Sequence, residues 1–163
     1  MNLITSEFVL GIVGPLWPVL SGDSRAVDIE LSPRAPSSPV RAMIGYQAEA
    51  ERWHVLADEA LTPRELCWIL HHEAAHVRAG DVTQDAAITE LDRRMFRGDG
   101  TAGAAMRRHA WIASRDAPAS RHEESQADEW ANETARQTWA MLEAIEEAAI
   151  AAIGQTMRRV SNV

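Results

Sequence analysis

The sequence predicts a mostly helical α+β protein with a small sheet near its N-terminus, and three observations carry that reading. Residues 1–46 hold five of the seven prolines and lack helical periodicity, whereas the pattern turns helical from Gln47 onward. Two helix-start signals, Thr62-Pro63-Arg64-Glu65 and Ser120-Arg121-His122-Glu123, each open a long helical pattern. Alanine is abundant, with one Tyr and two Phe, a composition that favours helix. A chain of 163 residues is long enough to bury one core. One domain is therefore expected, with residues 1–46 a strand and loop region and residues 47–163 helical.

The elements follow in chain order. The stretch FVLGIVGPLWPVL (8–20) contains Gly11, Gly14, Pro15 and Pro18, which disfavour helix. It reads as one or two buried extended segments turning near Gly14-Pro15. It is too short for a membrane span, and Glu7, not a basic region, precedes it. AVDIEL (26–31) and VRAMIGY (40–46) read as two strands, joined as a wide hairpin by the loop SPRAPSSP (32–39). Residues 47–60 read as a helix with Trp53 and Leu56 inward. The next helix is expected from Pro63 to about Ala79. Thr62 caps it, Pro63 fits its first position, Glu65 completes a capping box and Gly80 stops it. Its apolar stripe is Leu66, Ile69, Leu70 and Val77. A helix over 83–96, the loop GDGTAG (98–103) and a short helix over 104–114 follow. The last helical pattern reaches Arg159, and its length predicts a break near Asn132 or Gly154. Trp68, Trp130 and Trp139 fall at helix-packing positions.

Bulk properties limit the function. A formal net charge of −8 and a pI near 5.2 exclude a general nucleic-acid binder. The clusters Arg93, Arg94 and Arg97, then Arg107 and Arg108, then Arg158 and Arg159 read as solvated helix faces. The lone cysteine, Cys67, permits no internal disulfide and sits among apolar residues as a core thiol. A cytoplasmic location without membrane association is the simplest expectation.

The chemistry lies in ILHHEAAHVRAGD (69–81), where residues 72–76 spell HEAAH, a match to HExxH. Residues four apart share one face of a helix, so His72 and His76 can present two imidazole nitrogens to one ion. Glu73 is turned by about 100° from His72. There it can reach a water on the ion but is poorly placed to be a ligand. His71 faces away from His76 and reads as a packing or surface residue.

Such a site needs a third protein ligand and an open fourth position. His109, His122, Glu123 and Glu124 are the downstream possibilities. Within EESQADEWA (123–131), Glu124 and Asp128 share a helix face. Glu124 could bind the ion while Asp128 accepts the ring N–H of a ligand histidine. Glu123 points about 100° away from Glu124 and serves the capping box better.

HEAAH followed by Glu124-Ser-Gln-Ala-Asp128 resembles the gluzincin zinc metallopeptidases. The second motif, continued by Trp130 and Ala131, resembles small intracellular peptidases of the phage-exclusion type and regulatory proteases that cut repressors. The resemblance covers residues 65–80 and 123–131. It implies a zincin-like fold, Zn2+ held by His72, His76 and Glu124, and Asp128 supporting His72. It also implies a protein or peptide substrate lying extended on an edge strand, for which VRAMIGY is the candidate. Several of these small peptidases carry a further histidine shortly after HExxH, where this chain has Gly80-Asp81.

The expected activity is zinc-dependent hydrolysis of peptide bonds with Glu73 as the base. Tyr46, His109, His122 and Arg121 could each stabilise an oxyanion, with His109 and Tyr46 ranked first. The alternative is a metal-stabilised regulatory or binding module on a peptidase scaffold, latent or inactive.

Overall fold

The computed structural model describes residues 3–33, 41–47, 50–80, 86–87, 112–113 and 121–161. In order these form α1 (Ser6–Ser21), β1 (Val27–Ser32), β2 (Ala42–Gln47), β3 (Arg52–Asp58), α2 (Pro63–Ala79), two-residue strands β4 (Ala86–Ala87) and β5 (Ile112–Ala113), and α3 (Arg121–Ser161). The class is α+β and mostly helical, as expected. Among the described residues no helix is long and apolar enough to cross a membrane.

The N-terminal stretch is a helix and not the extended segments that its prolines suggest. Thr5 caps it, its hydroxyl accepting from Phe8 N at 3.2 Å. Val9, Val13, Trp17 and Ser21, spaced by four, form the buried stripe. Pro15 and Pro18 remove the donors that would meet the carbonyls of Gly11 and Gly14. Pro15, Pro18 and Gly11 are exposed, and a side chain at either glycine would meet nothing. The broken bonds therefore fall on the wet side of the helix, where water can replace them.

Residues 47–60 also depart from expectation. They form no helix: Arg52–Asp58 is β3, the central long strand. The sheet order is β1-β3-β2-β5-β4. β2 and β3 form an antiparallel hairpin, with Ile44 opposite Val55 and Tyr46 opposite Trp53. β1 runs parallel to β3, Ile29 beside Val55. The expected β1–β2 hairpin is thus replaced by β3 inserted between the two strands. Trp53, Val55 and Ala57 share the core-facing side with Ile44 and Tyr46, while Leu56, placed on the opposite face by strand alternation, is buried as well. β4 and β5 occupy residues read as helical. They pair with each other, and β5 pairs with β2 at Gly45 and Tyr46. The VRAMIGY strand is therefore not a free edge there. The remaining residues of the expected helices 83–96 and 104–114 lie outside the described residues.

The turn into α2 is tightly built. Asp58 accepts from Ala60 N at 3.0 Å, and its backbone carbonyl accepts from Leu61 N at 3.1 Å. Arg41 lies 3.6 Å from Asp58 and 3.4 Å from Glu65. The capping box is complete: Glu65 N donates to the Thr62 hydroxyl at 3.3 Å and Thr62 N to the Glu65 carboxylate at 2.8 Å. Gly80 ends the helix at φ 78°, a left-handed conformation that glycine adopts without strain.

α2 lies between α1 and α3. Arg78 donates to the carbonyls of Val19 and Leu20 at 3.3 and 3.4 Å, closing the C-terminal end of α1. α3 is one unbroken helix, with no break at Asn132 or Gly154. Its first half buries Ala127, Ala131, Ala135, Thr138 and Leu142, a mostly small-residue stripe that lets α2 approach closely. Further along, Ile145, Ile150, Ile153 and Met157 are exposed.

Candidate metal centre

Contacts between α2 and α3 fix how the two motifs meet. Arg64 lies near Trp139, Trp68 bonds Asn132, His72 meets Asp128 and His76 approaches Glu124. Residue numbers rise on one helix as they fall on the other, so the helices run antiparallel. Both motifs lie on the facing stripes because each places its polar residues four apart.

His72, His76 and Glu124 each offer one ligand atom, and these atoms lie within 4.8 Å of one another. His72 Nε2 is 3.0 Å from His76 Nε2, and Glu124 Oε2 is 3.4 and 3.7 Å from those two nitrogens. Both histidines are buried, while Glu124 is half-exposed. Asp128 Oδ1 lies 3.0 Å from His72 Nδ1. A proton on Nδ1 that faces this carboxylate leaves the Nε2 lone pair pointing at His76 and Glu124.

Burial, followed by the neighbouring His76, holds the His72 pKa below the ordinary histidine value; Glu124 and Asp128 pull against this. A depressed pKa keeps the imidazole neutral, the form that binds a metal. The donor set of two imidazoles and a carboxylate suits a divalent transition ion such as zinc. These residues therefore fit a metal ion, with Asp128 in support.

Glu73 sits beside His72 on α2 and is buried, with 7% of its surface exposed. A carboxylate is rarely buried without a polar partner or a chemical role. His71 is fully buried. Its Nδ1 lies 2.7 Å from the Cys67 carbonyl and its Nε2 3.0 Å from the Thr138 hydroxyl. The carbonyl must accept, so Nδ1 carries the proton and Nε2 accepts from Thr138. His71 is a core residue linking α2 to α3, in keeping with a packing role.

Among the described residues, two further sequence-derived candidates, Tyr46 and His122, are not brought here. Tyr46 is buried in the core, its ring 4.9 Å from Trp53 and 4.3 Å beneath the Arg25 guanidinium. Those partners give it a packing role on β2. His122 is exposed at the start of α3 and is not part of the cluster. His109 and the Arg121 side chain lie outside the described residues. Trp68, assigned only to packing from the sequence, stacks on the His72 ring at 5.2 Å with an interplanar angle of 27°.

No protein-family model, curated protein or solved structure matches the chain.

Proposed function

We propose that this chain is a zinc-dependent peptide hydrolase of gluzincin type, with His72, His76 and Glu124 holding the ion and Glu73 serving as the base. The supporting observation is convergence. Two motifs some fifty residues apart in sequence bring three donor atoms within 4.8 Å, with Asp128 3.0 Å behind the first histidine. Zinc bound there supplies a Lewis acid for a scissile carbonyl and for water.

The chain's own residues do the rest. Asp128 holds His72 with its Nε2 lone pair free. Glu73 takes a proton from the attacking water onto its carboxylate and delivers it to the departing amine, so the peptide bond breaks with one water consumed. The buried flanks of α2 exclude competing solvent from the two histidines. The substrate class is protein or peptide.

The test is zinc content together with proteolysis for wild type and Glu73→Gln. The variant should retain zinc and lose turnover by at least about 100-fold, the usual scale for a general base. Undiminished cleavage by Glu73→Gln would refute the mechanism. Zinc without turnover in either protein would assign the chain to the other class, a metal-stabilised binding or regulatory module.

A further inference from the structure

We infer that Trp68 and Asn132 are positioning residues for the metal ligand His72, an inference that rests on the metal reading above. Three contacts between α2 and α3 form a ladder. His76 faces Glu124, His72 faces Asp128 and Trp68 faces Asn132, at 3.7, 3.0 and 2.8 Å. Each step retreats four residues on α2 and advances four on α3. Two steps carry the ligands and their support; the third carries no ligand.

A ligand histidine must be fixed in two respects, its edge and its face. Asp128 addresses only the edge, through Nδ1, and its side chain is 51% exposed, so water competes for that carboxylate. Trp68 covers the ring face, one helical turn before His72 on the same helix. An indole stacked this way restricts rotation of the imidazole about its Cβ–Cγ bond. The indole is held in turn, because Trp68 Nε1–H donates to Asn132 Oδ1. Asn132 belongs to the helix that carries Glu124 and Asp128. One bond therefore orients the stacking ring and also holds the register that places Glu124 opposite the histidines.

This accounts for an amide at an exposed helix position where alanine would favour the helix more. It also explains why Asn132 causes no helix break: its side chain reaches across to Trp68 and does not compete for its own backbone.

The test is titration of metal-free protein with Co2+, followed by visible absorption, alongside denaturant melts without metal. Asn132→Ala and Trp68→Phe should each weaken Co2+ binding by about tenfold, the lower end of what outer supports of metal ligands contribute. The double variant should be no weaker than either single one, because both remove the same bond. Metal-free stability of Asn132→Ala should stay at or above wild type, given the better helix former at an exposed site. Wild-type Co2+ affinity in both single variants would overturn the inference, as would losses that multiply in the double variant. So would an effect confined to metal-free melting. A wild-type chain that takes up no Co2+ would instead remove the metal reading, and this inference with it.

Discussion

Removing one hydroxyl behind the His72–His76–Glu124 cluster, by Thr138→Val, should cost more than its size suggests. His71 is fully buried, and its Nε2 has the Thr138 hydroxyl at 3.0 Å as donor. Valine keeps the shape and the β-branch but leaves that nitrogen as a buried acceptor without a partner. Such a group costs about 1–3 kcal/mol. For a chain of this length each kcal/mol lowers Tm by about 2–4 °C. Circular dichroism melts and guanidinium titrations at pH 7.5, without metal, would measure the loss. His71→Leu removes the acceptor, so Thr138→Val in that background should cost little, because paired apolar replacement is close to neutral. An equal cost of Thr138→Val in both backgrounds would show that the hydroxyl acts by some route other than His71.

Three further outcomes follow from the same structure. Burial lowers the pKa of both His54 and His71, so each stays neutral in the folded chain. Their contribution is fully present above about pH 6.5, the unfolded value, and is lost as pH falls below it; metal-free melts from pH 7.5 down to 5 should show a falling Tm, and a flat profile would contradict this. The Cys67 thiol is pushed up to about 11 by burial, so it should resist a disulfide exchange reagent at pH 8 in native protein and react once unfolded. Pro15→Ala restores an N–H for the Gly11 carbonyl in α1 and should stabilise the chain by about 1–3 kcal/mol in chemical denaturation, less the entropy that proline removes from the unfolded state; a destabilised variant would mean that the ring itself packs.

The helix α2, which carries HEAAH, was legible because its signals are local. A capping box, a proline at the first position and a terminating glycine bracket Pro63–Ala79. Spacings of four within HEAAH and between Glu124 and Asp128 put side chains on one face whatever else the chain does. β3 was illegible for the opposite reason. Trp53 through Asp58 are all buried, so the strand shows no alternation and its apolar run is open to a helical reading. Its parallel pairing with β1, from which β2 separates it only in sequence, is set by tertiary packing and leaves no turn signal. α1 was hidden because two prolines and two glycines outweighed a stripe of four buried positions. Only the placement of the broken bonds on the solvent side makes that helix tolerable. The burial of Glu73 was invisible, and His71 stayed open between packing and surface, because only the packing of α3 and its small residues against α2 decides which polar residues are covered. Trp68 was read for its packing alone, because its bond to Asn132 spans two helices far apart in sequence.

Binding of one metal ion by His72, His76 and Glu124 together is tested most directly by calorimetric titration of metal-free protein with zinc. Wild type should bind about one zinc per chain, as a single site of this kind requires. Glu124→Gln should bind far more weakly, while Glu123→Gln, turned away from the site by one helical position, should bind as wild type does. No zinc uptake by wild type, or a loss that follows Glu123 and not Glu124, would rule out this ligand set.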